Sequence, residues 1–298
     1  MATQGHGDHW ECLVNFDDLV KTHLTNLVQN GNLEDKSEVN AIFFDDGIQS
    51  TETLFSLSLD NDLSALALIV ANRDKTANEF VSGYPFARVG EILQLKITEI
   101  KEWDNKYEAV IVTETKDGQT ISFFDTKYYK NKGKYKIGNY YPFIVSALGY
   151  NVEFLKDKTF SFEGQKAVDW LAKIGKEPTF NNNGEVEPIV FDLSNLVSYF
   201  PRHDDYPDDA EFQSPISNVE KISAFQTGFY KFKIQIFREP DVFLDLYAKE
   251  SFFERKPTNN DSLRGVIWLQ GYLIEKDNSV FHSLIDSNGE PVIISNQK

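Results

Sequence analysis

One spacing limits the folds open to this chain more than any other feature. A pattern of strand, long hairpin, polar loop and returning strand occurs twice, about 122 residues apart. Ile97, Ile100 and Trp103 match Val219, Ile222 and Phe225 at an offset of 122, and Tyr107 and Phe124 match Tyr230 and Tyr247 at 123. In the first copy GEILQLKITEI (90–100), KYEAVIVTET (106–115), QTISFFD (119–125) and YYPFIVSALGY (140–150) show the short apolar patterning of strands. In the second, FYKFKIQI, VFLDLYA and LRGVIWLQGYL take the same places. Turn formers separate the paired strands in both copies, Asp117-Gly118 and Pro240-Asp241. A spacing held over that length predicts one supersecondary unit used twice.

Such a unit resembles the opening of an OB-like Greek-key barrel, at the level of fold only. A generic antiparallel sheet or sandwich fits the same pattern. Ahead of it, residues 11–29 carry Leu13, Phe16, Leu19, Val20, Leu24, Leu27 and Val28 at three- and four-residue steps, with Gly31 as a stop. They predict an amphipathic helix. NAIFFDD, ETLFSLSLD and SALALIVAN then predict three strands, with turns at Asp45–Gly47 and Asp60–Asp62. Between the copies, GQKAVDWLAKIGK predicts a short helix with Val168, Leu171 and Ile174 inward and Gly175 at its end. NNNGE (181–185) predicts a turn, and PRHDDYPDDAE (201–211) an exposed acidic connection. The fold class is mainly β, α+β overall. Its expected parts are an N-terminal α/β cap (1–82), a first β module (83–160), a connecting segment (161–212) and a second β module (213–298).

Charge bears on function. The net charge is −16, which slows the approach of nucleic acids and anionic membranes and suits a basic protein partner. No apolar run is long enough to span a bilayer, and MATQGHGDHWECL has neither a basic start nor an apolar core. A soluble, cytoplasmic protein is expected. Cys12 is the single cysteine, so neither an intrachain disulfide nor a cysteine-cluster zinc site can form. P-loop, dinucleotide glycine fingerprint, zinc helix and nucleophile elbow are all lacking from the sequence. These features argue against an enzyme, and no cofactor or metal is expected.

Three stretches are candidates for contact with a partner. TKYYKNKGKYKIGNYY (126–141) alternates Lys127, Lys130, Lys132, Lys134 and Lys136 with Tyr128, Tyr129 and Tyr135. Cations that track phosphates and rings on which bases stack are what single-strand binders use. Lysines on exposed strands also discourage edge pairing, and a solvated face or a contact for an acidic protein patch fits equally. The corresponding loop of the second copy, KESFFERKPTNND, balances three cations with three acids, which speaks against a repeated nucleic-acid site. In SLRGVIWLQGYL (262–273), Arg264, Val266, Trp268 and Gln270 share one face, while Ile267 and Leu269 share the core face. Trp268 between Arg264 and Gln270 fits a recognition surface or a packing position under a helix. Gly265 and Gly271 predict a bulge or a close backbone approach. The acids Asp204, Asp205, Asp208 and Asp209 are the third candidate, as a surface for a basic partner. His6, Asp8, His9 and Cys12 could ligate a metal by type, but an exposed, frayed N-terminus is not expected to hold one.

The reading favoured by these features is a non-enzymatic binding protein, a protein–protein interaction or inhibitor module whose acidic surface engages a basic partner. The alternative is single-stranded nucleic-acid or nucleotide binding through 126–141.

Overall fold

The computed structural model describes residues 6, 8–14, 19–42, 49–58, 62–71, 78–203 and 206–274. Its architecture is mainly β with few, short helices. The N-terminal helix expected over 11–29 is broken. A 3-10 turn, His9–Cys12, comes first, then a π-helical turn, Leu19–Leu24, which runs into α1 (Thr25–Asn30). Gly31 ends α1 by donating its N–H to the Leu27 carbonyl, as a stop signal should.

Four antiparallel strands follow where three were expected: β1 (Asn32–Ile42), β2 (Gln49–Ser58), β3 (Leu63–Ala71) and β4 (Asn78–Ala87). NEFVSGYPFA was missed because Gly83 and Pro85 interrupt its pattern, yet as an outer strand it tolerates both. The turn at Asp45–Gly47 lies outside the described residues, as do Asp60 and Asn61 of the next one.

The first module comprises β5 (Glu91–Glu102), β6 (Ala109–Glu114), β7 (Thr120–Asp125) and β8 (Tyr140–Phe154). The Lys/Tyr stretch between β7 and β8 forms α2 (Tyr128–Asn131) and a 3-10 turn, Lys132–Lys134. Beyond β8 the chain makes a small two-stranded sheet of β9 (Thr159–Phe162) and β10 (Ile189–Asp192), with α3 (Gln165–Lys173) between them. Gly175, at φ 70°, ends this helix as expected. The inward residues differ from expectation: Ala167 is buried and Ile174 is exposed.

The acidic run 201–211 is not a loose connection. It belongs to a strand pair, β11 (Ser198–His203) and β12 (Tyr206–Ala224). Alternating Asp208, Ala210 and Phe212 put one side of this run into the protein, a period that two prolines and five acids disguise. The remaining strands are β13 (Thr227–Phe237), β14 (Val242–Lys249) and β15 (Ser262–Leu273).

Closure of the large sheet comes from exchange between the two modules. β8 pairs antiparallel with β5 over Tyr140–Val145, then parallel with β14 over Ser146–Leu148. β15 does the same in reverse, antiparallel with β12 over Ser262–Trp268, then parallel with β7 at Gln270–Gly271. β8 and β15 pair with each other from Phe143↔Leu273 to Phe154↔Leu263. Two five-strand circuits result, β5–β6–β7–β15–β8 and β12–β13–β14–β8–β15, sharing their central pair.

The circuits are related by a pseudo-twofold exchange. Phe124↔Gln270 in one has its counterpart in Tyr247↔Leu148 in the other, matching offsets of 123 (124 to 247) and 122 (148 to 270). The first strand needs a correction. β5 changes partner at Lys96 and β12 changes at Pro215, so this strand is displaced by 119 (96 to 215) and Ile97 corresponds to Ile216, not Val219. Register shifts in both strands and unequal connections break the uniform spacing.

Strand period two then builds two cores back to back. Phe123, Ala147, Leu246, Ile267 and Leu269 fill the circuits. Their sequence neighbours Phe124, Leu148, Tyr247 and Trp268 point the other way, onto Leu66, Leu68, Tyr84 and Phe86 of the N-terminal sheet. Full burial of one such side chain is worth about 1.5–3 kcal/mol, so both layers contribute strongly.

Candidate functional site

The Lys/Tyr stretch is a clamp between the N-terminal sheet and the first circuit. Lys127 Nζ lies 2.8 Å from Glu34 Oε1, and Lys130 Nζ lies 2.5 Å from Asp35 Oδ2, both acids on β1. Arg88 adds a second cation to Glu34 at 2.6 Å. Burial pulls Glu34 upward, but the Lys127 charge and hydrogen bonds from Lys127, Ser58 and Arg88 outweigh it and hold the carboxyl at about 2.

The three tyrosines are buried. Tyr129 Oη is 2.6 Å from Ser56 Oγ, Tyr128 Oη donates to Glu102 at 2.9 Å, and Tyr135 Oη donates to Asp125. Lys132 Nζ donates to the Lys106 carbonyl and Lys134 Nζ to Asn131 Oδ1; Lys136 is exposed. Lys127, Lys130, Tyr128, Tyr129 and Tyr135 are thus engaged by the protein's own acids and core, whereas Lys134, Lys136 and Tyr140 remain exposed. Burial pushes Asp125 up to about 7 against the Tyr135 and Lys127 hydrogen bonds.

The N-terminus, expected to be exposed, is buried at His6, His9 and Cys12, while Asp8 is exposed. His6 and His9 are each 6% exposed and Cys12 1%. His6 Nε2 lies 2.7 Å from Glu108 Oε1 and its Nδ1 lies 2.8 Å from His9 Nδ1. Ser82 Oγ and Asn105 Nδ2 also donate to Glu108. His9 stacks on Trp268 with centroids 4.2 Å apart and planes 10° apart, and Trp268 Nε1 donates to Asp208 Oδ2 at 2.8 Å. Burial, then the neighbouring His6, pushes His9 well below the usual imidazole range. Burial pushes the Cys12 thiol up, away from nucleophile chemistry. Among the described residues no three His, Cys, Asp or Glu side chains converge to hold a metal ion. Sequence reasoning had the ligand types but lacked Glu108, Trp103 and Asp208, which lie far away along the chain.

Trp268 and Gln270 are therefore interior residues: Gln270 Oε1 accepts the Ala87 N–H. Asp208 is buried too. Asp209 is half-buried, and burial together with the Asp208 charge pushes it up to about 7. Neither forms an open acidic surface, and Asp204 and Asp205 lie outside the described residues.

Arg264 alone of its face stays exposed, and it marks an open groove. Register places Glu153, Arg264, Gln213 and Ser198 in one cross-strand row and Asn151, Val266, Glu211 and Phe200 in the next. Together they line a concavity of about 350 Å³ across β8, β15, β12 and β11. Arg264 Nε and Nη2 donate to Glu153 Oε1 at 2.9 and 2.7 Å, holding that carboxyl below its usual range. Glu211 meets Arg202 at 3.9 Å.

Beside the groove stands the β9–α3–β10 unit. Its strands and helix carry an aromatic cluster of Phe160, Phe162, Trp170 and Phe191, with ring centroids 5.0–6.2 Å apart. Its connections and flanks leave Phe180, Val190, Leu196 and Phe200 exposed. Of the twelve exposed large apolar side chains among the described residues, six fall between Phe160 and Phe200.

Comparison with protein-family models, curated proteins and solved structures finds no match to this chain. Among the described residues no helix is long and apolar enough to cross a membrane.

Proposed function

We propose that the protein is a non-enzymatic binding module whose groove and adjoining β9–α3–β10 unit engage a protein partner carrying basic and apolar side chains. The observation that carries this reading is Phe200, exposed on the groove wall, at the end of a stretch in which Phe160, Ile174, Phe180, Val190 and Leu196 are exposed as well. Glu211, which meets Arg202 at 3.9 Å, supplies an acceptor for a basic side chain, while Phe200 and Val266 supply apolar contact. The net charge of −16 steers such a partner from a distance. Docking is by face and not by strand addition, because Pro201 sits in the edge strand β11 and interrupts its donors.

The strand order supports an OB-like reading of each circuit, with three meandering strands, a fourth paired to the first, and a fifth parallel to the third. In that reading β8 is the fourth strand of its own barrel and the fifth of the other. Burial of Tyr128, Tyr129 and Tyr135 weighs against nucleic-acid contact through 126–141, although Tyr140 in the same stretch is exposed.

Affinity isolation followed by titration calorimetry tests the proposal. Phe200→Ser combined with Phe160→Ser is expected to weaken a captured partner at least tenfold, as loss of an aromatic hot spot does. Affinity of the unmodified protein should fall as salt is raised. A partner held equally by the variant, or insensitive to salt, sinks the reading.

A further inference from the structure

The two buried histidines look less like core residues than like ligands in a prepared site. His6 stacks on Trp103 with centroids 4.6 Å apart and planes 26° apart, and the ring of Phe124 meets it edgewise at 4.6 Å. Tyr84 closes a third side at 4.8 Å. Glu108 faces the ring's N–H, and its carboxylate also takes Ser82 and Asn105. His9 continues the stack on Trp268, whose indole N–H is fixed by Asp208. His6 thus meets Glu108 through Nε2 and His9 through Nδ1, one ring of the histidine pair supplying the N–H between them. Every wall belongs to the folded body: β4, the β5–β6 connection, β7, β12 and β15. Only the imidazoles come from the N-terminal segment.

We propose that this arrangement of rings and carboxylate is a binding site for a planar nitrogen heterocycle with a ring N–H, a free base or nucleoside, which the chain's own His6 and His9 occupy. Indole and phenyl walls favour any flat ring, because every base has a π-face on which to stack. Glu108 adds selectivity, because a ring without an N–H leaves a buried carboxylate short of a donor. Overall charge excludes a long strand but not a single uncharged ring. The segment has other anchors that survive loss of the rings. Trp10 Nε1 donates to the Gly83 carbonyl at 2.9 Å, Cys12 Sγ meets the Leu148 carbonyl at 3.7 Å, and Lys249 Nζ donates to the Glu11 carbonyl at 2.6 Å.

The test is chemical rescue in the full chain. His6→Ala/His9→Ala empties the site, and thermal unfolding and tryptophan fluorescence are followed against imidazole, 1-methylimidazole and guanosine. Imidazole and guanosine are expected to raise the Tm saturably and to perturb Trp103 and Trp268 fluorescence in the variant. The unmodified protein, already occupied, should respond far less, and 1-methylimidazole, lacking the N–H, should act at least tenfold more weakly. A folded variant indifferent to imidazole and guanosine overturns the proposal, and so does one that treats 1-methylimidazole as an equal. If the double variant does not fold, His6→Ala alone is used. Imidazole that restores its stability supports the site, and failure to restore it rejects the site.

Discussion

Asp125 shows how one buried side chain sets a pH dependence. It accepts the Lys127 N–H and the Tyr135 hydroxyl, and burial holds its carboxyl near 7. A carboxyl raised on folding stabilises fully below its unfolded value, near 4, and loses that contribution as pH rises through 7. Asp209 has the same sign and window. Asp125→Asn removes one titration while keeping an acceptor, so the variant's denaturation midpoint should fall less than the unmodified protein's between pH 4 and 8. Urea midpoints across that range check it, and parallel curves would refute it. At this scale the sequence was half legible. The Lys/Tyr stretch stood out by composition, but its partners Glu34, Asp35 and Ser56 are more than seventy residues away. Period two separated Trp268 from Ile267 and Leu269, and it could not say what would lie on Trp268.

At the scale of elements, the shared pair β8–β15 carries the most constraint. A Cβ on Gly265 would sit 1.9 Å from the Asn151 carbonyl oxygen, and one on Gly271 would sit 2.6 Å from that of Ile144. The close approach anticipated at both glycines is thus real, and a register shift lies beside Gly265 between Val266 and Ile267. Gly265→Ala drives a methyl group into backbone that cannot move without displacing β8, costing about 1–3 kcal/mol or more. Because β8 and β15 serve both circuits, chemical denaturation of this variant should show one destabilised transition. A separate early transition would contradict that. The strands of the repeat were legible to within a few residues because their apolar patterning is local. β4, β9, β10, β11 and the start of β12 were not, since a strand that is short or carries Gly, Pro or a run of acids declares itself only through its partner.

For the whole molecule, exchange of strand halves makes the modules interdependent. Residues 88–158 alone contain β5 to β8 but lack the β15 segment that joins β7 to β8. Such a fragment should give a poorly dispersed amide NMR spectrum and no cooperative melt. Mixing it with 198–274 should restore dispersion as the two circuits close. A fragment that folds alone would show that closure does not need the exchange. The N-terminal sheet is the third party. It covers Phe124, Leu148, Tyr247 and Trp268 and leaves the Arg264 end of the same face open, and that boundary is what makes the groove.

The sequence by itself determined the strand-rich class, the doubled unit, the hairpins within each copy and the two faces of β15. All of these depend on side-chain period and on turn residues within a few positions. Tertiary structure alone decided how β8 and β15 are shared, which acids neutralise the Lys/Tyr stretch, and that His6 and His9 lie between indoles. The physical reason is that alternation assigns a side chain to a face, whereas burial of that face depends on a second layer arriving from a distant part of the chain.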